Sequence, residues 1–341
     1  MKALLYPELD QLEFVALEQP TPTEDEVLIK VAACGICGSE LETFKNQSPR
    51  RKPPLIMGHE FCGTIVSVGA QVDVWKAGDA VVAHAIVHCG DCDCCGRGDD
   101  HLCRNREVFG MHRPGAFAGY VCVPQKVLLP WPSNLAAAEA CLAEPLANGV
   151  HVADLLKPYA PAKCLVVGAG PIGLMCLQAL RVSLGAEVCV SDLSEERLEV
   201  ARRLGAARTL QPDCVEASVD EWSAGEGLDC IVDAVGSAAT KRQSLSLLRP
   251  GGVAVWLGLH QDRIELDSYG LTLPEVAVLG SYSARLDELR VALGWMAKGR
   301  VDVRSWVDIY PLADGVHAFR RMMDAQGEAI KAVLTPEHSD L

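Results

Sequence analysis

The chain has 341 residues, and at about 150 residues per domain this length predicts two domains. Hydrophobic residues make up 49% of the sequence and charged residues 22%, a balance typical of a folded globular protein. Acidic residues number 45 and basic residues 31, so the formal net charge is −14. This charge argues against a nucleic-acid-binding protein, which needs positive charge opposite the phosphates, and against docking on anionic lipid.

The sequence carries no sign of membrane insertion or export. No apolar run approaches the ~20 residues that a transmembrane helix needs. The stretch 1–10 turns acidic and has no basic flank before a long apolar segment, so we expect no signal peptide and a cytoplasmic location. Because cytoplasmic thiols stay reduced, the 15 cysteines are interpreted as metal ligands or buried apolar residues, and not as disulfides.

The first part of the chain, up to about residue 130, is rich in short β-branched and apolar runs separated by glycines. Such runs predict strands at residues 27–33, 62–68, 79–84 and 120–123. Short strands with regular glycine punctuation predict a small antiparallel β-barrel.

After Pro130 the pattern changes to strands that alternate with helices. Helices are predicted at residues 134–146, 149–156, 171–184 and 195–204, and strands at 163–167, 187–191, 230–235, 253–257 and 276–280. This alternation predicts a parallel sheet. Two more helices are expected at 286–298 and 313–324, followed by a strand at 330–334. Since that strand has no strand partner nearby in the sequence, it is expected to return to the first domain.

A glycine-rich motif follows the strand at 163–167 and opens the next helix. Its residues are Gly168, Ala169, Gly170, Pro171, Ile172 and Gly173, a G-x-G-x-x-G pattern. The first glycine allows the tight turn, the second lets the backbone approach a pyrophosphate, and the third lets helix and strand pack closely. The strand–turn–helix context predicts a dinucleotide site. The alternative is a glycine-rich turn without a ligand.

The choice of dinucleotide depends on Asp192, at the end of the next strand and 19 residues after Gly173. A carboxylate there would accept hydrogen bonds from the adenosine ribose and would repel a 2′-phosphate, which favours NAD over NADP. Arg197 lies nearby in the sequence and could instead accommodate that phosphate.

Four cysteines fall within a single short segment, at positions 89, 92, 95 and 103. Cys89, Cys92, Cys95 and Cys103 offer four thiolates, the ligand set of a closed tetrahedral zinc with a structural role. Cys94 is a fifth thiol in the same segment. The alternative is a reactive surface cluster or a set of adventitious disulfides.

A second possible metal set is dispersed along the chain. Its members are Cys37, His59 and Glu60, with Glu144 farther on. One thiolate, one imidazole and one or two carboxylates suit a catalytic zinc that keeps an exchangeable position. Taken singly, each residue has a simpler interpretation as a buried cysteine, a core histidine or a surface carboxylate, and spacing alone would not assemble them.

Taken together, these motifs resemble those of a known family. The segment from Gly35 to Ser39, the Gly58-His59-Glu60 triplet, the four-cysteine segment, Glu144-Pro145 and the Gly168 motif occur in the order seen in zinc-dependent medium-chain dehydrogenases. The resemblance covers essentially the whole chain. It is strongest to the polyol branch, which includes sorbitol and galactitol-phosphate dehydrogenases, and threonine dehydrogenase is almost as similar.

The resemblance implies an α/β fold with two domains. A GroES-like β-barrel catalytic domain would contain both zinc sites and comprise residues 1–148 and 286–341, and a doubly wound Rossmann NAD-binding domain would comprise 149–285. The zinc and the nicotinamide would lie in a cleft between them. Homodimers or homotetramers would form through the edge strand at 276–280.

The resemblance also suggests roles for the dispersed residues. Cys37, His59 and Glu60 would bind the catalytic zinc, with Glu144 as a fourth or alternate ligand. Ser39 would take the substrate proton, because its hydroxyl both donates and accepts hydrogen bonds.

The chain departs from many relatives at two positions. Glu40 and Glu42 stand where those relatives have Asp and His. Because that His helps to pass the proton to solvent, its absence leaves the proton route open, and Glu42 is the candidate replacement.

The functional expectation is a zinc-dependent enzyme that moves a hydride between NAD and a secondary alcohol of a polyol, sugar or cyclitol. Alternatives are a threonine-type or simple alcohol dehydrogenase and, from another class, a non-enzymatic zinc-binding module. Substrate choice in this fold depends on loop residues, for which segments 46–52, 112–117 and 269–273 are candidates.

Overall fold

The computed structural model describes residues 1–46, 50–324 and 329–336. In chain order the strands are β1 (Lys2–Tyr6), β2 (Glu13–Ala16), β3 (Glu26–Gly35), β4 (Leu55–Ile56), β5 (Glu60–Val68), β6 (Ala80–Ala83), β7 (Ile86–Val87), β8 (Glu107–Val108), β9 (Tyr120–Pro124), β10 (Leu128–Pro130), β11 (Lys163–Val167), β12 (Glu187–Ser191), β13 (Arg208–Leu210), β14 (Leu228–Asp233), β15 (Leu248–Trp256), β16 (Ala277–Gly280), β17 (Val307–Pro311) and β18 (Lys331–Thr335). The helices are α1 (Gly38–Asn46), α2 (Asp93–Gly96), α3 (Ala137–Ala140), α4 (Ala143–Leu156), α5 (Pro171–Leu184), α6 (Glu195–Arg203), α7 (Val215–Ser223), α8 (Ala238–Ser246), α9 (Tyr269–Thr272), α10 (Leu286–Ala297) and α11 (Gly315–Asp324). Within the described ranges, no helix is long and apolar enough to cross a membrane.

The chain divides into two compact units. The first unit comprises residues 1–144, 285–299 and 303–341, and the second comprises residues 145–284 and 300–302. The first unit therefore combines both ends of the chain, and the second is formed by its middle.

The first unit is built around a sheet with strand order β10-β6-β5-β3-β18-β17, in which β9 also pairs with β3. All of these pairs are antiparallel except β17 with β18. Phe61 packs edge-to-face on Phe109, and Phe117 packs in the same way on Phe319 of α11. Because Phe319 lies in the same core as Phe61 and Phe117, the end of the chain is part of this domain's core. The predicted barrel of antiparallel strands is confirmed.

The second unit contains a six-stranded sheet in the order β13-β12-β11-β14-β15-β16. All five neighbouring pairs are parallel. Counted within the unit, the order is 3-2-1-4-5-6, which is the Rossmann arrangement. The predicted doubly wound α/β fold is confirmed.

The helix boundary near Glu144 differs from the sequence prediction. Residues 134–146 and 149–156 were expected to form two helices, but the structure has a short α3 and a long α4 that starts at Ala143. Pro145 accounts for the difference, because a proline is tolerated in the first turn of a helix and disrupts its interior. As a result, Glu144 lies in the first turn of α4.

The final strand was predicted to have no partner nearby in the sequence, and this prediction is wrong. β18 pairs in parallel with β17, which precedes it by one helix, and antiparallel with the end of β3. The expected return to the first domain is correct. Sequence analysis missed several elements: the strands β1, β2, β4, β7, β8, β10, β13 and β17, and the helices α1, α2, α7, α8 and α9.

Candidate metal centres and dinucleotide site

The four cysteines of the segment from Cys89 to Cys103 converge around one point. Their sulfurs lie within 4.8 Å of one another. The Sγ of Cys89 is 3.4 Å from that of Cys103, and the Sγ of Cys92 is 3.6 Å from that of Cys95 and 3.9 Å from that of Cys103. Four thiolates at ~2.3 Å from a tetrahedral zinc lie about 3.8 Å apart, so the spacing fits that ion.

The surroundings act differently on the members of this cluster, and burial raises the pKa of the Cys95 thiol. The backbone of Cys95 lowers the pKa of the Cys92 thiol to about 6, which favours the thiolate that a metal binds. Cys94 is buried, and its sulfur accepts a hydrogen bond from Arg97 at 3.6 Å. Although Cys94 is close to Cys92, it is not one of the four convergent cysteines.

A second convergent set of possible metal ligands forms between the end of β3 and the start of β5. Cys37 follows β3 directly before α1, and His59 and Glu60 stand at the start of β5. One ligand atom from each of Cys37, His59 and Glu60 lies within 4.8 Å of the other two. His59 is 8% exposed and Glu60 1% exposed, so two ligands are withdrawn from water. The fold thus brings these three dispersed residues to one place.

A buried carboxylate links two of these residues. Oε1 of Glu40 accepts hydrogen bonds from the backbone N–H of Gly58 at 2.9 Å and from Nδ1 of His59 at 2.8 Å. Oε2 of Glu40 accepts from the backbone N–H of Cys37 at 2.9 Å. With Nδ1 of His59 held as a donor, Nε2 is the nitrogen available to a metal.

The charges in this cluster shift its pKa values strongly. Burial alone would lower the pKa of His59, but Glu40 and Cys37 raise it well above its ordinary value. Burial alone would raise the pKa of Glu40, but His59 and the guanidinium of Arg51 lower it. Glu40 is therefore an anion that favours charge on its neighbour.

Glu60 has a cationic partner that the sequence analysis missed. Nζ of Lys331 donates hydrogen bonds to Oε1 of Glu60 at 2.7 Å and to the carbonyl of Ile36 at 2.9 Å. The same Nζ lies 2.5 Å from Oε2 of Glu60, but within the described part of the chain this oxygen accepts no hydrogen bond. This oxygen is therefore paired with the lysine by charge, and its lone pairs leave room for a metal as a second partner.

Glu144 stands apart from this set. It is 6% exposed, and its carboxylate is not within the 4.8 Å group of Cys37, His59 and Glu60. Burial raises the pKa of Glu144 to about 7, and the charges of His59 and Glu60 also act on it. The charges of this cluster thus affect the pKa of Glu144, although Glu144 is not part of the compact set.

The predicted proton-transfer residues have different environments. The hydroxyl of Ser39 lies 3.4 Å from the sulfur of Cys37. Arg51, which is 2% exposed and which sequence analysis missed, donates from Nη2 to Oγ of Ser39 at 3.1 Å. It also donates from Nη1 to the Ser39 carbonyl at 2.9 Å and from Nε to that of Gly110 at 2.8 Å. Glu42, in contrast, is exposed on α1.

The glycine-rich motif forms a tight turn between β11 and α5. Gly168 has φ +97°, a conformation that favours glycine. A Cβ on Gly173 would lie 1.7 Å from the Gly168 carbonyl, so only glycine lets the helix approach this turn. Gly170 is the N-cap, and Pro171 and Ile172 form the first turn of α5. The 14-residue helix therefore begins at the turn, with its N–H groups available to an anion.

Asp192 is tied to that same turn. Its Oδ2 accepts a hydrogen bond from the N–H of Ala169 at 2.7 Å, and its Oδ1 accepts from the N–H of Ser194 at 2.9 Å. Arg197 is half-buried in α6, and within the described residues its Nε is buried without a hydrogen bond. The carboxylate is thus fixed beside the glycine-rich turn, with a guanidinium nearby in the sequence.

Two family models match the chain. The alcohol dehydrogenase GroES-like domain matches residues 23–133, and the zinc-binding dehydrogenase domain matches residues 171–298. A D-arabitol-phosphate dehydrogenase of Enterococcus avium is 34% identical over 96% of this chain and 95% of its own length. The chain belongs to the zinc-dependent medium-chain dehydrogenases.

Other members of this dehydrogenase family are comparably similar. An L-threonine 3-dehydrogenase of Saccharopolyspora erythraea is 31% identical over 90% of this chain and 91% of its own length. The structure of an Escherichia coli alcohol dehydrogenase solved with NADH superposes with a TM-score of 0.91 at 29% identity, covering 98% of this chain and 99% of that one. The chain is accordingly an alcohol or polyol dehydrogenase that uses zinc.

The three segments proposed for substrate choice differ in what they contribute to this dehydrogenase. Residues 47–49 of segment 46–52 lie outside the described residues. In segment 112–117, Nδ1 of His112 accepts a hydrogen bond from the N–H of Val108 at 3.0 Å, and Phe117 is fully buried in the core. In segment 269–273, Tyr269 and Leu273 are 78% and 79% exposed.

Proposed function

We propose that this dehydrogenase moves a hydride between NAD and a secondary alcohol of a polyol, sugar or cyclitol. The observation that carries the proposal is the compact set of Cys37, His59 and Glu60, with the Ser39 hydroxyl 3.4 Å from the Cys37 sulfur. A thiolate, an imidazole and a carboxylate suit a catalytic zinc, and the adjacent hydroxyl supplies a group for proton transfer.

In the proposed reaction each residue has a limited task. When bound, zinc favours loss of the alcohol proton, and NAD accepts the hydride. Glu40 orients the His59 ring through Nδ1. Ser39 receives the proton, and Arg51 fixes the direction of the Ser39 hydroxyl by donating to its oxygen. Glu42 is the proposed outlet to solvent, since it is exposed and able to accept a proton.

The preference for NAD over NADP is proposed from Asp192. Its negative charge next to the glycine-rich turn opposes a 2′-phosphate on the ribose. Arg197 represents the opposing possibility, because a guanidinium can pair with a phosphate. The carboxylate is favoured because it contacts the turn that would hold the pyrophosphate.

A polyol substrate is proposed because the similarity extends along nearly the whole chain to an enzyme named for a sugar-alcohol phosphate. An amino-alcohol substrate of the threonine type is the second candidate, because a threonine dehydrogenase is nearly as similar. The two classes differ in charge, since an amino acid substrate would need a cationic partner for its carboxylate.

A substrate panel tests the proposal. The zinc-loaded enzyme would be incubated with polyols, polyol phosphates, cyclitols, threonine and simple alcohols, each with NAD and with NADP. Formation of reduced nicotinamide would be followed by its absorbance. Turnover of a polyol with NAD that fails after removal of zinc by a chelator is the expected result. Turnover of threonine alone, or of simple alcohols alone, would contradict it.

A homodimer or homotetramer is proposed to form through β16. Among the residues that the structure describes, this strand pairs with β15 alone and forms the edge of the six-stranded sheet. Val278 within it is 36% exposed, so an apolar side chain lies at this sheet edge. Light scattering should give at least a dimer, and Val278→Pro should yield monomers, because proline removes a backbone donor.

A further inference from the structure

Lys331 has no task in the reaction described above, although it is buried against a metal-ligand candidate. It is 1% exposed and pairs with Glu60, which is also 1% exposed. A buried ion pair costs desolvation of both charges, and this cost can exceed the Coulombic gain. The position of the buried Lys331–Glu60 pair beside the metal set therefore indicates a role other than stabilising the fold.

Three neighbouring strands create this contact. Gly35 of β3 lies opposite Glu60 of β5 and, on the other side, opposite Val333 of β18, the strand that begins with Lys331. A Cβ on Gly35 would lie 2.1 Å from Oε2 of Glu60 and 3.3 Å from Cε of Lys331. The carboxylate of Glu60 therefore occupies space that only a glycine leaves open, directly in front of the lysine.

Lys331 and Glu40 stand behind two different ligands with opposite charges. The anion of Glu40 contacts Nδ1 of His59 and makes that imidazole a stronger donor to a metal. The cation of Lys331 contacts both oxygens of Glu60 and withdraws electron density from them. By the same reasoning, a carboxylate paired with an ammonium is a weaker metal ligand than an unpaired one.

We propose that Lys331 is a positioning residue that keeps Glu60 a weak, displaceable zinc ligand. The position that Glu60 yields is then open to exchange, with Glu144 as the other carboxylate within reach of the cluster's charges. The inference rests on the proposed metal set of Cys37, His59 and Glu60, and it concerns how tightly that set holds the ion.

The test follows the release of zinc from the holoenzyme to a coloured chelator. Lys331→Met removes the cation and keeps an unbranched stem of similar volume, so Glu60 should bind zinc more strongly. Release from this site should slow by about 10- to 100-fold, the usual scale of such outer contacts. Lys331→Arg keeps the charge and is the matched control, with release near that of the wild type. Release from Lys331→Met as fast as from the wild type would overturn the proposal.

Replacing Glu60 identifies the ligand responsible. Glu60→Gln combined with Lys331→Met should abolish the slowing, because the recruited carboxylate is gone. If the double variant stays slow, the lysine acts through another group and the proposal fails. The cysteine cluster is not altered by these changes and provides an internal reference for the second zinc.

A second comparison avoids any variant that leaves Glu60 buried without a cation. In the wild-type background, Glu60→Gln should speed release less than His59→Gln does, because Lys331 weakens Glu60 while Glu40 strengthens His59. The reverse order would contradict the proposal. Since the assay needs neither NAD nor an alcohol, its outcome is independent of the substrate panel, and the two proposals can fail separately.

Discussion

Nδ1 of His59 lies 2.8 Å from Oε1 of Glu40, and neither side chain is accessible enough for water to take the place of this contact. The same carboxylate accepts hydrogen bonds from the N–H groups of Cys37 and Gly58. One side chain therefore joins the two segments that carry the thiolate and the imidazole. The family resemblance leads us to expect Asp at this position in many relatives, and here the junction is made by a side chain that is one methylene longer.

Glu40→Gln should weaken the junction. An amide offers one acceptor oxygen where the carboxylate offers two, so at least one buried N–H loses its partner, at a cost of about 1–3 kcal/mol. Zinc affinity at the catalytic set should fall by about 10- to 100-fold, because the second contact of His59 is lost. Glu40→Asp is the control that keeps the charge. Unfolding midpoints and chelator competition would check both effects, and unchanged zinc affinity would refute the role given to Glu40.

The cysteine cluster should hold one zinc ion and the catalytic set another, for two per chain. Cys103→Ser should reduce the content to one and destabilise the segment from Cys89 to Cys103, because a closed thiolate site contributes folding free energy. Cys94→Ser is the matched control, since this thiol lies outside the four and should leave both ions in place. Elemental analysis that finds no zinc in freshly purified wild type would eliminate the catalytic proposal.

Sequence analysis succeeded where function depends on local pattern. The glycine-rich turn, the strand before it and the helix after it follow one another directly, and the structure has β11 and α5 at the predicted residues. The alternation of helices and strands was then enough to predict the parallel sheet, even though α7 and α8 were missed. Helix α8 carries few apolar residues at helical spacing, so the pattern that revealed α5 is weak there. Helix α7 does have Val215, Val219 and Trp222 at helical spacing, and it was missed because it is short and rich in acidic residues.

Local sequence pattern could not predict contacts between residues that are far apart in the chain. Lys331 and Glu60 are 271 residues apart, and neither residue type suggests the other. Arg51 sits in a basic run, Arg50-Arg51-Lys52, which usually indicates a solvated surface, yet its guanidinium is buried against Ser39. The resemblance to relatives supplied the ligand residues but not these partners, because they surround the ligands and do not belong to the motifs.

Asp192→Ala should weaken NAD binding and relax discrimination against NADP. Hydrogen bonds to a charged group contribute about 1.5–3 kcal/mol, so the dissociation constant should rise roughly 10- to 150-fold. Asp192→Asn keeps an acceptor for the N–H of Ala169 and separates loosening of the turn from loss of charge. Arg197→Ala should affect NADP more than NAD. Fluorescence titration with both cofactors measures these changes, and a wild type that prefers NADP would transfer the role to Arg197.

The proposed proton route begins at Ser39. Ser39→Ala should leave zinc and NAD binding near normal and slow alcohol oxidation by about 10²–10⁴-fold, roughly 3–5 kcal/mol of barrier, because a positioned proton-transfer group is lost. Arg51 cannot be the next acceptor, since a guanidinium stays protonated and here donates to the Ser39 oxygen.

Glu42 is the remaining candidate for the outlet, and Glu42→Gln tests it. Its carboxylate is exposed, so water can partly replace it as an acceptor, and the loss of rate should be smaller than for Ser39→Ala. The pH–rate profile should shift as well. Glu42→Lys, which also removes the acceptor, should reproduce the effect. If Glu42→Gln changes neither rate nor profile while Ser39→Ala is severely impaired, the proton leaves Ser39 through water and Glu42 is a solvated surface carboxylate.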